Sequence, residues 1–103
     1  MRIKQATLDD QKTLLALMHE AFEQGNGGST GEWTKTEMAI RILLSDPQAG
    51  EAYLIFDTSD DPVGYLVLCR GFSLDYGGYF TWIEESHIRK SAQGRFRDQR
   101  FSP

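Results

Sequence analysis

The feature of this sequence that most limits its fold is the segment from Tyr79 to Gly94. It opens with aromatic and β-branched residues, Y-F-T-W-I, which favour a β-strand. The strand leads into a basic turn of small residues that closes with Gln93, Gly94 and Arg95. Such a turn can direct backbone N–H groups at an anion when a helix follows it. We therefore expect a strand over residues 79–88 that runs into an anion-binding loop.

Two helices are predicted earlier in the chain. The first runs from about Leu8 to Gln24 and can be capped by Thr7. Its apolar stripe, spaced i, i+3, i+4, i+7 and i+8, consists of Leu14, Leu17, Met18, Ala21 and Phe22. The second begins at Thr34 or Thr36 and ends at Asp46, because Pro47 follows. Its predicted inward face consists of Met38, Ala39, Ile42 and Leu43.

Three further strands complete the predicted sheet. A short edge strand is expected at residues 3–6, and two apolar strands at residues 52–56 and 63–69. Turn-forming residues between the last two predict an antiparallel hairpin. The order of elements is then β-α-α-β-β-β. This predicts an α+β fold in which two helices pack on a four-stranded, mainly antiparallel sheet in sequential order.

Composition restricts the class of protein. A chain of 103 residues suits one domain. It contains no apolar run of the roughly 20 residues that a membrane span needs, and its N-terminus lacks the apolar core of a signal peptide. We therefore predict a cytoplasmic protein that does not insert into a membrane. Cys69 is the single cysteine, so no intrachain disulfide can form, and its apolar neighbours predict a buried, inert thiol.

Charge is unevenly distributed along the chain. Residues 1–88 hold six Lys/Arg and fourteen Asp/Glu, whereas residues 89–103 hold five and one. The basic end could attract an anionic cofactor and the acidic body a cationic amine, or the basic end could be a solvated tail. An acidic body repels phosphates, so no nucleic-acid partner is expected.

The two histidines, His19 and His87, lack ligand spacing, so no metal site is predicted.

The strand and its turn resemble a known family. Trp82–Arg89 is similar to the central strand of the GNAT N-acetyltransferase superfamily, and Gln93–Arg95 to the start of its pyrophosphate loop. The opening R-I-K-Q-A-T-L-D-D and the connection S-L-D-Y-G-G also resemble segments of GNAT domains. The pattern departs at Phe96 and Asp98, where the family has small residues. The resemblance therefore predicts the N-terminal part of a GNAT fold over residues 1–95, truncated at the loop, and a non-family tail over residues 96–103.

The resemblance implies roles for several residues. It places a catalytic base at Glu85, for which pairing with Arg70 or Arg89 across the sheet is the structural alternative. Strand alternation puts Thr81, Ile83, Glu85 and His87 on one face and Phe80, Trp82, Glu84 and Ser86 on the other. Acetyl-CoA would contact the backbone of His87, Ile88 and Arg89 through its pantetheine arm and the turn at Gln93, Gly94 and Arg95 through its pyrophosphate.

Three functions remain open at this level. The first is an N-acetyltransferase that uses acetyl-CoA and a small amine or a protein amino group, expected to be weak or inactive because Phe96 and Asp98 obstruct the phosphate loop. The second is a non-catalytic fragment, produced by truncation or a frameshift, that acts as a dimeric binding module. The third is a regulatory protein that reuses the half-domain. In each, the exposed edge of the strand at residues 79–88, or the uncovered sheet face beside it, predicts a homodimer.

Overall fold

The computed structural model of the protein describes residues 1–25, 33–90 and Ala92. The predicted loop at Gln93, Gly94 and Arg95 and the predicted tail over residues 96–103 lie outside these residues. The described part contains the predicted two helices and four strands in the predicted order. The strands are β1 (Arg2–Gln5), β2 (Gly50–Phe56), β3 (Pro62–Ser73) and β4 (Gly78–Ile88), and the helices are α1 (Gln11–Glu23) and α2 (Trp33–Ser45).

The four strands form one antiparallel sheet in the order β1-β2-β3-β4. The predicted fold class and the predicted β2–β3 hairpin are therefore confirmed. β3 is longer than predicted. Its pairing with β2 stops at Cys69, which lies opposite Gly50 at the start of β2, whereas residues 70–73 pair with β4 alone. The hairpin of β3 and β4 consequently projects beyond the rest of the sheet.

A short helical turn precedes α1. This 3₁₀ turn spans Leu8–Asp10 and begins after Thr7, the predicted cap residue. The Asp10 carboxylate accepts a hydrogen bond from the Thr7 backbone N–H at 2.9 Å. An acid in this position satisfies a donor that the helix itself leaves without a partner and faces the positive end of the helix dipole.

The core lies between the helices and one face of the sheet. α1 buries the first four residues of its predicted stripe, while Phe22 remains 38% exposed. Leu14 of this stripe is fully buried, as are Leu54 of β2 and Tyr65 of β3. Each fully buried leucine contributes roughly 1.5–3 kcal/mol relative to an exposed one. The α1 stripe therefore accounts for much of the attachment of the helices to the sheet.

The predicted inward face of α2 is wrong in three positions. Met38 and Ile42 are 65% and 57% exposed and Ala39 is exposed as well, whereas Ile40 and Leu43 are buried in the core. α2 carries apolar residues on more than one face, so their spacing alone leaves open which face turns inward. Packing on β2 and α1 selects the face that contains Ile40. Neither helix has the length and hydropathy that a membrane-spanning helix requires.

A β-bulge interrupts β4. Glu85 lies opposite Val67, and Ile83 lies opposite Leu68, so Glu84 has no residue facing it on β3. A bulge of this kind shifts the alternation of side chains by one residue. The predicted grouping of Thr81 and Ile83 with Glu85 and His87 is therefore wrong, because the two pairs lie on opposite faces of the sheet.

Candidate functional site

An open cleft of about 440 Å³ lies between α2 and the sheet. α2 provides Lys35, Thr36, Ala39, Ile40, Ile42 and Leu43, and Met18 projects from α1. Ala49, Val67, Cys69, Glu84 and Glu85 complete the lining. This volume falls in the range that binds small molecules, and the predicted catalytic residue Glu85 is one of its polar groups.

The bulge in β4 brings two carboxylates to this cleft. In a regular strand, adjacent side chains point to opposite faces of the sheet. Because the bulge removes one step of this alternation, Glu84 and Glu85 both line the same cleft. Glu84 was predicted to lie on the other face from Glu85, and that prediction is wrong.

Glu85 is held by a tyrosine from the neighbouring strand. The hydroxyl of Tyr65 donates a hydrogen bond of 2.6 Å to Oε1 of Glu85. Burial, and then the hydrogen bond and negative charge of Glu85, raise the pKa of Tyr65 above its usual range. The tyrosine therefore remains a donor at all physiological pH values. It fixes one oxygen of the carboxylate and, within the described residues, Oε2 accepts no hydrogen bond.

Arginine does not pair with Glu85 in the described structure. The Arg70 guanidinium donates instead to the carbonyl oxygen of Pro47 at 3.4 Å. Arg89 forms a bidentate ion pair with Glu20 of α1, with distances of 2.9 and 3.0 Å. The structural alternative from the sequence, in which Arg70 or Arg89 pairs with Glu85, is therefore wrong.

Glu84 has a different environment from Glu85. It is exposed, and it accepts a hydrogen bond of 2.9 Å from the indole N–H of Trp82. The thiol of Cys69 is only partly buried and lines the cleft. Burial, and secondly the negative charge of Glu84, raise the pKa of this thiol. The prediction that Cys69 is buried is therefore wrong, because it is half-buried. Its raised pKa leaves little of the reactive thiolate at neutral pH, which agrees with the predicted low reactivity.

The predicted cofactor residues at the end of β4 lie close to the core. His87 is only 6% exposed, and its Nε2 has no hydrogen-bond partner among the described residues. Its ring lies beside that of Tyr65, with 6.2 Å between centroids. The Arg89 backbone N–H donates to the carbonyl of Val63 at 2.7 Å, so this amide is engaged with β3. Ile88 packs against a second, smaller apolar cluster.

Two residues of the site were not identified from the sequence. The sequence did contain one indication of the role of Tyr65. Tyr65 lies among apolar residues in β3, and a buried tyrosine needs a hydrogen-bond partner for its hydroxyl. Lys35 lies on a helix whose inward face could not be chosen from spacing alone, so nothing in the sequence assigned it to the cleft. Over residues 1–25, 33–90 and Ala92, no three His, Cys, Asp or Glu side chains converge as metal ligands would.

Comparison with known proteins adds evidence on the fold. No protein-family model matches the sequence, and no curated protein matches it. Solved structures do match. An integron cassette protein from the mobile metagenome of Cole Harbour Salt Marsh is 29% identical, with a TM-score of 0.79 over 90% of this chain and 59% of the other.

Two further matches are described as acetyltransferases. A "possible acetyltransferase" from Clostridium difficile is 22% identical, with a TM-score of 0.71 over 95% of this chain and 64% of the other. An acetyltransferase from Vibrio fischeri is 19% identical, with a TM-score of 0.64 over 96% of this chain and 85% of the other. The chain thus spans less than two thirds of the length of the first two structures.

These likenesses agree with the element order, the antiparallel sheet and the position of the two helices. The described residues form the N-terminal part of the GNAT acyl-CoA N-acyltransferase fold. The resemblance inferred from the sequence is therefore confirmed for the fold.

Proposed function

We propose that this protein is a GNAT-type N-acetyltransferase whose cleft binds the amine that accepts the acetyl group. The observation that supports this most strongly is the Glu85 carboxylate, held by Tyr65 at 2.6 Å on a bulged strand that lines the cleft. The structural neighbours described as acetyltransferases support the same class of reaction.

The proposed chemistry assigns a proton transfer to Glu85. An amine is protonated at neutral pH and must lose a proton before its nitrogen can act as a nucleophile. The Oε2 atom of Glu85 is the group proposed to accept this proton, while Tyr65 keeps the carboxylate in one orientation. Glu84 is proposed to attract the ammonium group to the same end of the cleft. Glu85 is then the catalytic residue, and Tyr65 is a positioning residue.

Acetyl-CoA is the proposed cofactor, and it would supply the acetyl group as an activated thioester. The described residues suit it in one respect, because β4 is the last strand of the described sheet and its outer edge pairs with no described strand. The backbone of His87, Ile88 and Arg89, at the end of this strand, is proposed to contact the pantetheine arm. At Arg89 the N–H already donates to the Val63 carbonyl and the carbonyl accepts from the Ala92 N–H. Gln93, Gly94 and Arg95, outside the described residues, are proposed to bind the pyrophosphate.

The charge of the chain supports this placement. Residues 89–103 carry five Lys/Arg and one Asp/Glu, a donor set that suits a polyphosphate. Phe96 and Asp98 stand where the family has small residues, so we expect weak binding of the cofactor and slow turnover.

Calorimetric titration with acetyl-CoA tests this proposal. We expect binding in the micromolar to millimolar range, and the Glu85→Gln variant should bind acetyl-CoA as the wild type does, because Glu85 acts on the amine. Absence of binding at millimolar acetyl-CoA would overturn the proposal of an enzyme.

A second proposal is a dimeric binding module, and the surface of β4 favours it. Tyr79, Trp82 and Ile83 are 71%, 40% and 63% exposed, and Phe72 of β3 stacks edge-on against Tyr79 at 5.3 Å. A strand edge flanked by exposed aromatic residues is a typical site of strand pairing between chains. The proposed partner is a second copy of this chain, bound through the edge of β4 or the uncovered sheet face beside it.

Light scattering at increasing protein concentration tests the dimer. We expect the mass of two chains for the wild type and of one chain for Ile83→Lys, which places a charge on the exposed face of β4. Met38→Lys is the matched control, because Met38 is equally exposed but lies on α2. A compact wild-type monomer at high concentration would contradict the dimer.

A further inference from the structure

We infer that the acceptor is a monoamine with an apolar body, bound with its ammonium group at Glu84 and Glu85, and that the cleft discriminates against polyamines. This inference rests on the proposed function, because it treats the cleft as the acceptor site. It follows from the distribution of charged and apolar side chains around the cleft.

The two carboxylates in the lining of the cleft select a cation. Glu84 and Glu85 each accept a hydrogen bond from a neutral group, the indole of Trp82 and the hydroxyl of Tyr65. Neither carboxylate forms an ion pair with a described residue, whereas Glu20 and Asp10 elsewhere in the chain do. Two adjacent carboxylates that pair with no described cation attract a single ammonium group strongly when it leaves bulk water.

The walls of the cleft select an apolar body. Seven of its lining residues have aliphatic or thioether side chains: Met18, Ala39, Ile40, Ile42, Leu43, Ala49 and Val67. Ile42 is 57% exposed, so part of this apolar surface faces water until a ligand covers it. An alkyl or aryl group placed there gains roughly 25 cal/mol for each Å² of apolar area removed from water.

The cation that lines the cleft selects against a second ammonium. Lys35 comes from the first turns of α2 and lines the same cleft, yet it pairs with neither Glu84 nor Glu85 within the described residues. A diamine anchored at the carboxylates would place its far charge among the apolar walls or near Lys35. Burying an unpaired ammonium and approaching a like charge are both unfavourable.

Binding measurements with three ligands of equal length test this inference. Heptylamine, hexamethylenediamine and heptanol are titrated into the full chain without acetyl-CoA, and binding is followed by NMR chemical shifts. We expect heptylamine to bind about tenfold more tightly than either other ligand, because only it has one charged and one apolar end. Heptanol binding as tightly as heptylamine, or hexamethylenediamine binding more tightly, would overturn the inference.

A variant and its matched control test whether the ammonium group of the ligand binds at Glu84. Glu84→Gln should weaken heptylamine binding about fivefold and leave heptanol binding unchanged, because it removes one of the two charges. Glu37→Gln is the matched control, since Glu37 lies exposed on α2 and does not line the cleft. An equal effect of the two substitutions would show that only the net charge of the protein matters and would also overturn the inference.

The binding experiment separates this inference from the proposed function. Heptylamine that binds as expected but is never acetylated would contradict the enzyme and retain the amine site. Acetylation of polar polyamines in preference to heptylamine would retain the enzyme and overturn the inferred substrate class.

Discussion

The hydroxyl of Tyr65 lies 2.6 Å from Oε1 of Glu85 and connects the core of the protein to the cleft. Tyr65 is fully buried, so its ring is positioned by the packing of the helices on the sheet. Glu85 lies opposite Val67, two residues further along β3. The orientation of the proposed base therefore depends on the packing of the core and not on another charged group.

Removal of the Tyr65 hydroxyl should lower the stability of the protein. Tyr65→Phe leaves a partly buried carboxylate without its donor, and we expect a loss of about 1–3 kcal/mol in the free energy of unfolding. Urea denaturation measures this loss. Tyr53→Phe is the control, because Tyr53 donates a hydrogen bond of 3.0 Å to Glu51 outside the cleft. Equal losses for the two variants would show that the Tyr65 hydroxyl has no special role.

The ion pair between Glu20 and Arg89 should make stability depend on pH. The hydrogen bond from Arg89 holds the pKa of Glu20 below its ordinary value of 4.5. Because the folded-state pKa is lowered, the stabilisation is present above pH 4.5 and is lost as the pH falls through the folded-state pKa. Both side chains are about one third exposed, so we expect about 0.5–1 kcal/mol.

Thermal or urea unfolding at a series of pH values tests this ion pair. Glu20→Gln should flatten the acid side of the stability profile, whereas Asp60→Asn should not. Asp60 pairs with Arg2 at 2.9 Å, but that pair is more exposed, at 53% and 76%. A Glu20→Gln profile that coincides with the wild type would contradict this prediction.

Among the glycines that the structure describes, Gly50 should be the most sensitive to substitution. It begins β2 with φ of +147°, and an added Cβ would overlap the backbone carbonyl of Leu68. We expect Gly50→Ala to cost about 3 kcal/mol or more, because backbone cannot move aside as a side chain can. Gly77 also has a positive φ, +80°, but its Cβ would meet open space. Gly77→Ala should therefore cost only about 1 kcal/mol, and equal costs would contradict the steric explanation.

The alkylation rate of the Cys69 thiol should depend on the charge of Glu84. Burial and the carboxylate of Glu84 both raise the pKa of this thiol. Glu84→Gln removes the charge, so more thiolate is present at a given pH, and alkylation by iodoacetamide should be about twofold faster. Mass spectrometry over time measures the rate. Glu37→Gln should leave it unchanged, and an unchanged rate in Glu84→Gln would place Glu84 too far from the thiol to act.

Local patterns in the sequence predicted most of the elements of the fold. Four of the five residues of the α1 stripe were identified correctly because they lie on one face, with Phe22 the exception. The β2–β3 hairpin was identified because turn residues separate two apolar runs. β3 was predicted to end at Cys69, where its apolar run ends. It continues because Arg70 and Gly71 pair with β4. That pairing is a property of the sheet and not of β3 alone.

The site was less predictable than the fold. The resemblance directed attention to Glu85, and its catalytic role stays a prediction. The presence of Glu84 in the same cleft depends on the bulge, which arises from the register between β3 and β4 and has no local signal. Tyr65 holds Glu85 from the core, and Lys35 lines the cleft from α2, so only the packed structure shows that both belong to the site. The phosphate-binding role of Gln93, Gly94 and Arg95 also stays a prediction.

The most direct test of the proposed enzyme is the rate at which the full chain forms acetylated heptylamine from acetyl-CoA. Product is measured by mass spectrometry for the wild type, Glu85→Gln and Glu37→Gln. Loss of the general base should lower the rate about a hundredfold or more in Glu85→Gln, while Glu37→Gln should match the wild type. Acetylation that is equally fast in Glu85→Gln, or no faster in the wild type than without protein, would contradict the proposed role of this cleft.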